Sequence, residues 1–375
     1  MPIRSLADIT PLRGTTVMVR ASLNVPIDNG AVRNQYRLQH AIPTIQYLQN
    51  AGAKVVVIGH IGRTIEDTLY PVYEALAQTI AIRWGGSVTD PAFKQTVATL
   101  AEGEAILAEN LRHDSREHDN DAAFAQYLAS LADVYVNDAF ANMHREHASM
   151  VGVPKYLPGY AGLRVQAEVA GLAAAMEPHT PSLFILGGAK FETKLALVDK
   201  YRSVYDELFI GGALAHDVLR ARGYEVGQSL VSDQPLANQQ IIADSRISIP
   251  LDVVALRQDK TVAVLAIDEV TPTDTIFDCG PATIEHLCQK IRVAQSVLWN
   301  GPLGNYEAGY DTGTKAVATA LADSTANSFV GGGDTVAAIE AIHRSDDFTF
   351  ISTGGGAMLT YLEHGTLPAL DCLDR

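Results

Sequence analysis

The sequence predicts an α/β protein of two doubly wound, Rossmann-like parallel-sheet domains joined by a helix, and three observations predict it. Ten short apolar, β-rich runs alternate with helix-period stretches along 375 residues, the pattern of parallel strands covered by helices on both faces. That length exceeds the size at which one hydrophobic core keeps growing, so two cores are expected. Between them lies the breaker-rich stretch Gly152-Val153-Pro154-Lys155-Tyr156-Leu157-Pro158-Gly159-Tyr160, followed by an Ala/Leu/Val-rich run from Arg164 to Met176 without interior proline. Residues 1–160 are expected to form the first domain. Residues 161–362 form the second, with the linking helix ended by Pro178 and Pro181.

In the first half the strand runs are Thr16–Val19, Lys54–Ile58, Ala105–Leu107 and Val134–Val136, each short, apolar and free of internal breakers. Helical periodicity covers Leu38–Asn50, Val72–Ile82 and Ala122–Leu131 between them. In the second half the strands are Leu183–Leu186, Glu207–Ile210, Val262–Ala266, Ser296–Trp299, Ser328–Val330 and Phe348–Ile351. The helices expected there are Tyr201–Glu207, Ile284–Val293, Thr314–Ala322 and Thr335–His343.

Two of these strands feed glycine turns. Gly331-Gly332-Gly333-Asp334-Thr335 follows Ser328–Val330, and Ser352-Thr353-Gly354-Gly355-Gly356-Ala357 follows Phe348–Ile351. Glycine lets the backbone approach a phosphate closely, and the free N–H groups and dipole of a helix's first turn favour negative charge. A carboxylate beside a phosphate repels it unless a cation lies between, so Asp334 suits the metal of a magnesium nucleotide. Asp334 or Thr335 also suits a plain helix cap, and the residues alone leave both open.

The net charge of -15 argues against a nucleic-acid or anionic-membrane surface. It is unevenly spread: residues 1–160 hold 13 Lys+Arg against 16 Asp+Glu, and residues 161–375 hold 15 against 27. The first half is therefore the better host for an anionic ligand, and ten of its 13 basic residues are Arg, whose planar fork matches carboxylate and phosphate oxygens. The three cysteines, Cys279, Cys288 and Cys372, have no CxxC spacing and suggest neither a disulfide framework nor a zinc site. With no leader before Leu6 and no apolar run of membrane-spanning length, a cytoplasmic protein is expected.

Ligands of parallel α/β sheets bind beyond the carboxyl ends of the strands. The first-half strands end in Arg20, Ser22 and Asn24; in His60 and Arg63; in Glu109, Asn110 and Arg112; and in Asn137, Asp138, His144, Arg145 and His147. Four deliveries of cations and amides to one edge, with Arg37 at the start of a helix, point to a polyanionic small molecule. The surrounding arginines would repel a metal from the histidines, and Glu109 and Asp138 are expected to orient arginines. In the second half, Leu183–Leu186 leads to Gly187-Gly188-Ala189-Lys190 and then Lys194, four residues on, which on a helix puts both ammonium groups on one face. No GxxxxGK[ST] or GxGxxG string is present. Gly211-Gly212-Ala213 is small enough to admit a flat base, Asp278-Cys279-Gly280-Pro281 adds a tight turn, and Glu307 follows Trp299-Asn300-Gly301-Pro302 where a carboxylate accepts ribose hydroxyls.

In their joint order these strings resemble the phosphoglycerate kinase family along essentially the whole chain: Arg20 to Pro26, Arg37 with Pro43-Thr44-Ile45, His60 to Arg63, Glu109 to Arg112, Val136 to Phe140 with His144 to Ser149, Gly187 to Lys190 with Lys194, Trp299 to Pro302 with Glu307, Gly331 to Thr335, and Ser352 to Ala357. The resemblance implies transfer of a phosphoryl group between 1,3-bisphosphoglycerate and ADP, giving 3-phosphoglycerate and ATP with Mg2+. It implies that Ser22, Leu23, Asn24, Arg37, His60, Ile61, Gly62, Arg63, Arg112 and Arg145 surround the acid. The nucleotide would meet Lys194, Gly211, Gly212, Gly280, Asn300, Glu307, Gly332, Gly333, Asp334 and Thr335, with Asp334 toward magnesium. No nucleophilic side chain is needed, and Arg37, Lys190, Lys194 and the Gly354, Gly355, Gly356 turn are the candidates for neutralising the transferred charge. Family pattern also implies a monomer, a hinge at the linking helix and after Gly356, and a tail from about Glu363 that packs on the first domain.

The chain departs from the family's pattern at points. Ser22 and Thr193 stand where the family has Asp, Gly59 and Thr64 where it has Ser and Pro, and Ala141-Asn142-Met143 where it has Gly-Thr-Ala. An active enzyme with weakened phosphoglycerate affinity is expected. A non-catalytic nucleotide-binding descendant and a kinase for another carboxylate are the alternatives.

Overall fold

The computed structural model describes residues 3–33, 35–189 and 194–373. The chain divides into two compact units, Met1–Ala170 with Thr366–Arg375, and Gly171–Gly365. The division falls inside the helix Leu163–Met176.

The first unit is built on six parallel strands in the spatial order Arg83–Gly86, Ala105–Ala108, Lys54–Ile58, Thr16–Ala21, Val134–Asp138, Gly159–Ala161. Its central strands are largely apolar because both faces are covered: Val17, Val19, Val55 and Val57 are buried with Leu38, Ile45 and Leu48 of the helix Tyr36–Asn50 on one face, and Met18 and Val56 are buried on the other. Each such side chain contributes about 1.5–3 kcal/mol on burial. The tail rejoins this unit, Ala369 N donating to the Met143 carbonyl at 3.1 Å.

The second unit has its own six parallel strands, ordered Ile247–Ser248, Glu207–Ile210, Ser182–Leu186, Ser296–Asn300, Asn327–Gly331, Phe350–Ile351. Val262–Ala266 is a strand but not part of this sheet. It pairs antiparallel with Asp252–Leu256, which also pairs with Thr275–Cys279, in a separate three-stranded sheet. A second correction concerns Tyr201–Glu207, expected as a helix: the helix is Leu195–Tyr201, and the chain enters the strand Glu207–Ile210 after a turn. Tyr201 and Tyr205 have helical spacing because both pack on Phe184, at centroid distances of 5.6 and 5.7 Å, from the end of a helix and from the turn after it. No helix among the described residues is long and apolar enough to cross a membrane.

Candidate active site

At the carboxyl edge of the first sheet the neighbouring strands Thr16–Ala21 and Lys54–Ile58 bring Arg20 against His60. Arg20 is fully buried. Its Nε donates to Ser149 Oγ (2.9 Å), Nη1 to the Ala21 carbonyl (2.6 Å), and Nη2 to His60 Nδ1 (2.8 Å). A guanidinium only donates, so His60 Nδ1 accepts and its proton sits on Nε2. Burial, followed by the charges of Arg20, Arg112 and Arg145, keeps this imidazole neutral by holding it far below its ordinary range. His60 Nε2 is itself buried without a partner among the described residues. An unmade hydrogen bond of this kind costs about 1–3 kcal/mol, which an incoming oxygen would relieve.

Glu117 supplies the buried counter-charge. Its carboxylate accepts from Ser149 N (2.8 Å) and the Ser149 hydroxyl (2.6 Å), and it partly offsets the lowering of Arg20 by burial. Arg112 is lowered first by burial and then by Arg145 and Arg63, so three arginines face one another across this edge. Arg37 Nη1 donates to the Asn24 carbonyl (2.9 Å), Asn24 Oδ1 accepts from Gly62 N (3.0 Å), and Arg112 Nη1 donates to the Gly62 carbonyl. Asn24, Arg37, His60, Gly62, Arg63, Arg112 and Arg145 thus belong to one cationic edge. Ser22 lies beside them, 7% exposed. Leu23 and Ile61 place their side chains in the hydrophobic core, so only their backbone can meet a ligand. Gly59 is matched to Leu23, whose Cδ1 would lie 2.7 Å from an added Cβ.

Glu109 and Asp138 do not orient arginine side chains. Glu109 accepts from Thr68 Oγ1, Leu69 N and Asn110 N at 2.6–2.8 Å, at the start of the helix Tyr70–Ala77. Asp138 accepts from Arg164 N (2.9 Å) and Val165 N (3.4 Å), capping Leu163–Met176, and burial pushes its carboxyl up to about 7.

In the second unit the strand order turns back between Ser182–Leu186 and Ser296–Asn300, the switch point at which open α/β sheets bind ligands. A cavity of about 530 Å³ opens there, with Gly188, Gly212, Pro302, Leu303, Glu307 and Asp334 on its wall, within the usual size range of small-molecule sites. The turns that form its floor interlock: Gly187 N donates to the Asn300 carbonyl and Gly188 N to the Pro302 carbonyl, both at 2.8 Å. Gly212, at φ +59°, fits only as glycine, because an added Cβ would lie 2.8 Å from both Gly188 N and the Pro302 carbonyl oxygen.

Lys194 is not on a helix at four-residue spacing from Lys190, as the sequence suggested. It immediately precedes the helix Leu195–Tyr201 at φ -120°, and Lys190 and Thr193 lie outside the described residues. Its Nζ donates to the Gly187 carbonyl (2.7 Å), and burial pulls the ammonium down to about 8. A cation this buried, with one neutral acceptor among the described residues, favours an incoming anion. Asp334 lies in the first turn of Gly333–Ala341, which Gly332 opens at φ +104°. Burial and then the Glu307 charge raise its carboxyl.

Of the ten expected nucleotide contacts, Gly212, Glu307 and Asp334 are on the cavity wall, and Lys194, Gly211, Gly280, Asn300, Gly332, Gly333 and Thr335 are not. Gly211 only leads into the helix Gly212–Ala221. Gly280 makes room for the Asp252 carboxylate, which caps the helix Pro281–Val293 through Ala282 N (3.0 Å) and Thr283 N (2.8 Å). Thr335 Oγ1 accepts from Gly301 N (3.0 Å), and Asn300 Nδ2 points to Met358 Sδ (3.7 Å), both buried beneath the floor. Gly354, Gly355 and Gly356 form the turn into Gly356–His364, with Ser352 Oγ accepting from Gly354 N (3.0 Å). Sequence reasoning missed Glu117, and it missed Phe277 and His216 on the cavity wall. His216 is four residues after Gly212 on one helix face, a spacing that points it the same way.

Among the described residues no group of three or more His, Cys, Asp or Glu side chains could hold a metal ion. Asp334 and Glu307, two carboxylates on one wall with the Asp334 carboxyl raised by burial and then by the Glu307 charge, fit an ion that takes its remaining ligands from water and phosphate, which is the habit of magnesium.

The family model described as phosphoglycerate kinase matches residues 6–365. A phosphoglycerate kinase of Roseiflexus sp. (strain RS-1) is 39% identical over 96% of both chains, and one of Azorhizobium caulinodans is 38% identical over the full length of both. Among solved structures, phosphoglycerate kinase from Coxiella burnetii aligns at 34% identity with a TM-score of 0.83, covering 100% of this chain and 98% of that one. The enzyme from Pyrococcus horikoshii OT3 aligns at 28% identity with a TM-score of 0.88, covering 99% and 98%. With a cationic edge on one sheet, a switch-point cavity on the other and a family match spanning nearly every residue, the chain belongs to the phosphoglycerate kinase family.

Proposed function

We propose that the protein is a phosphotransferase with a carboxyl acceptor, moving a phosphoryl group reversibly between 1,3-bisphosphoglycerate and ADP to give 3-phosphoglycerate and ATP. The observation that carries this reading is the pairing, in one chain, of a cationic edge around a buried His60 Nε2–H with a glycine-walled cavity beside buried Lys194.

The first unit holds the acid. Arg63, Arg112 and Arg145 neutralise its phosphate, His60 Nε2–H donates to an oxygen, and Ser22 and Asn24 hydrogen-bond what remains. The second unit holds the nucleotide, its phosphates near Lys194 and its ribose near Glu307. Magnesium, held by Asp334 with phosphate oxygens, would draw charge from the transferred group. The acceptor carboxylate is already anionic, so no side chain takes a proton; Arg37, Lys190, Lys194 and the Gly354–Gly356 turn offset the charge spread over the group in flight. Transfer requires acid and nucleotide to meet, and bending at Leu163–Met176 and after Gly356 is the motion that brings them together. The protein acts as a monomer in the cytoplasm.

The test is a coupled assay with 3-phosphoglycerate and MgATP, product formation being read as NADH consumption by glyceraldehyde-3-phosphate dehydrogenase. Turnover is expected, and Lys194→Ala should lower it by about 10²-fold or more. Nucleotide binding without turnover at saturating substrate would refute the reading.

A further inference from the structure

We infer that His216 reads the base: its Nε2 accepts a hydrogen bond from the 6-amino group of adenine and so selects adenine over 6-oxopurine nucleotides. The inference rests on the proposed nucleotide role of the cavity and goes beyond it by assigning specificity to one atom.

The helix Gly212–Ala221 runs along the cavity and places Gly212, Ala213, Ala215, His216 and Leu219 on its wall. Gly212 sits against the Gly188 turn, the phosphate end, and His216 lies one helical turn farther on, about 6 Å along the axis. Leu219, Leu230, Val253 and Ile276 make that far end apolar, suited to a flat ring. A base inserted there must still satisfy the donors and acceptors on its edge.

His216 is 5% exposed, and its Nδ1 lies 2.7 Å from the Leu230 carbonyl. A carbonyl only accepts, so Nδ1 carries the proton, and in the neutral ring Nε2 is a bare acceptor. Burial keeps the ring neutral by lowering it below its ordinary value, against smaller opposing effects of the Leu230 bond and the Asp217 charge. Nε2 has no partner among the described residues, is not among the sealed polar atoms, and belongs to a side chain on the cavity wall. Its small exposed surface is therefore cavity surface. An acceptor fixed in this way matches a 6-amino donor. It sets two lone pairs against each other when the base carries a 6-oxo group, and a buried acceptor left unpaired is where discrimination is strong.

The experiment compares ADP and IDP on the full-length protein by titration calorimetry with magnesium, and MgATP with MgITP in the coupled assay. The wild type should prefer the adenine nucleotide by about tenfold or more, the worth of one buried hydrogen bond. In His216→Phe, which keeps a ring but removes the acceptor, the preference should fall to within about threefold by loss of ADP affinity. Equal binding of ADP and IDP by the wild type would overturn the inference while leaving the kinase reading standing, and needs no variant to fold. An unchanged preference in His216→Phe would also overturn it. Failure to bind either nucleotide would instead remove the cavity's nucleotide role, and the inference with it.

Discussion

Ser22 stands where the family resemblance implies a carboxylate, just past the strand that carries buried Arg20 at the proposed acid site. A neutral hydroxyl holds a substrate hydroxyl less strongly than a charged acceptor does, roughly by half. Ser22→Asp should therefore lower KM for 3-phosphoglycerate about three- to tenfold, with kcat little changed; an unchanged or higher KM contradicts the proposed cause of weakened affinity. Lys194 gives a prediction with a definite sign. Burial alone brings its folded value down to about 8, whereas a bound phosphate favours the ammonium form and raises it. ADP affinity should then be level below pH 8 and fall toward tenfold per pH unit above it, with proton uptake on binding. Calorimetry at pH 8.5 in two buffers of different ionisation enthalpy measures that uptake, and identical heats would show that Lys194 does not face the phosphates.

At the scale of single elements, the helix Leu163–Met176 depends on a cap from outside itself. Gly162 precedes it, and an added Cβ would run into the Asp138 carboxyl that holds Arg164 N and Val165 N. Gly162→Ala should cost about 1–3 kcal/mol in urea unfolding, combining a lost cap with overpacking. Asp138→Asn keeps the accepting oxygen, and burial already pushes the Asp138 carboxyl up to about 7, so this variant should cost less. If both variants lose equally, charge rather than cap geometry holds the helix. The same helix marks what the sequence revealed. Its extent was legible because prolines and glycines bracket an unbroken helical run, whereas its cap comes from a distant strand end that local pattern cannot supply. The ten strand runs were legible for the same reason, as apolar stretches between breakers. The partner of Val262–Ala266 was not, since an apolar run carries no mark of parallel or antiparallel pairing, and exposed Val262 and Val264 signal only an edge. Arginines at strand ends could be read as a cationic edge because parallel strands share one carboxyl side. Glu117 could not, because its partner Ser149 becomes its neighbour only through the tertiary fold.

For the molecule as a whole, two electrostatic effects oppose each other. The net charge of -15 would repel an anionic acid at long range, while Arg63, Arg112 and Arg145 would attract it at the proposed site. Salt screens both over a Debye length of about 10 Å at 0.1 M, but it acts more completely on charges spread over the surface than on a cluster that is partly buried. If the distributed charge dominated, adding salt would improve acid binding by removing repulsion. The clustered arginines should win, because an anion held among them would be in direct contact with their charge, and the acidic excess lies mainly in residues 161–375, with 27 Asp+Glu against 15 Lys+Arg. KM for 3-phosphoglycerate should thus rise several-fold, roughly three- to tenfold, between about 20 and 200 mM salt. KM for MgATP should change less, since magnesium already cancels much of the phosphate charge and Lys194 is buried. Initial rates across that range decide the matter: a falling KM for the acid would mean that long-range repulsion governs its binding, and that the arginine cluster orients the acid without setting its affinity.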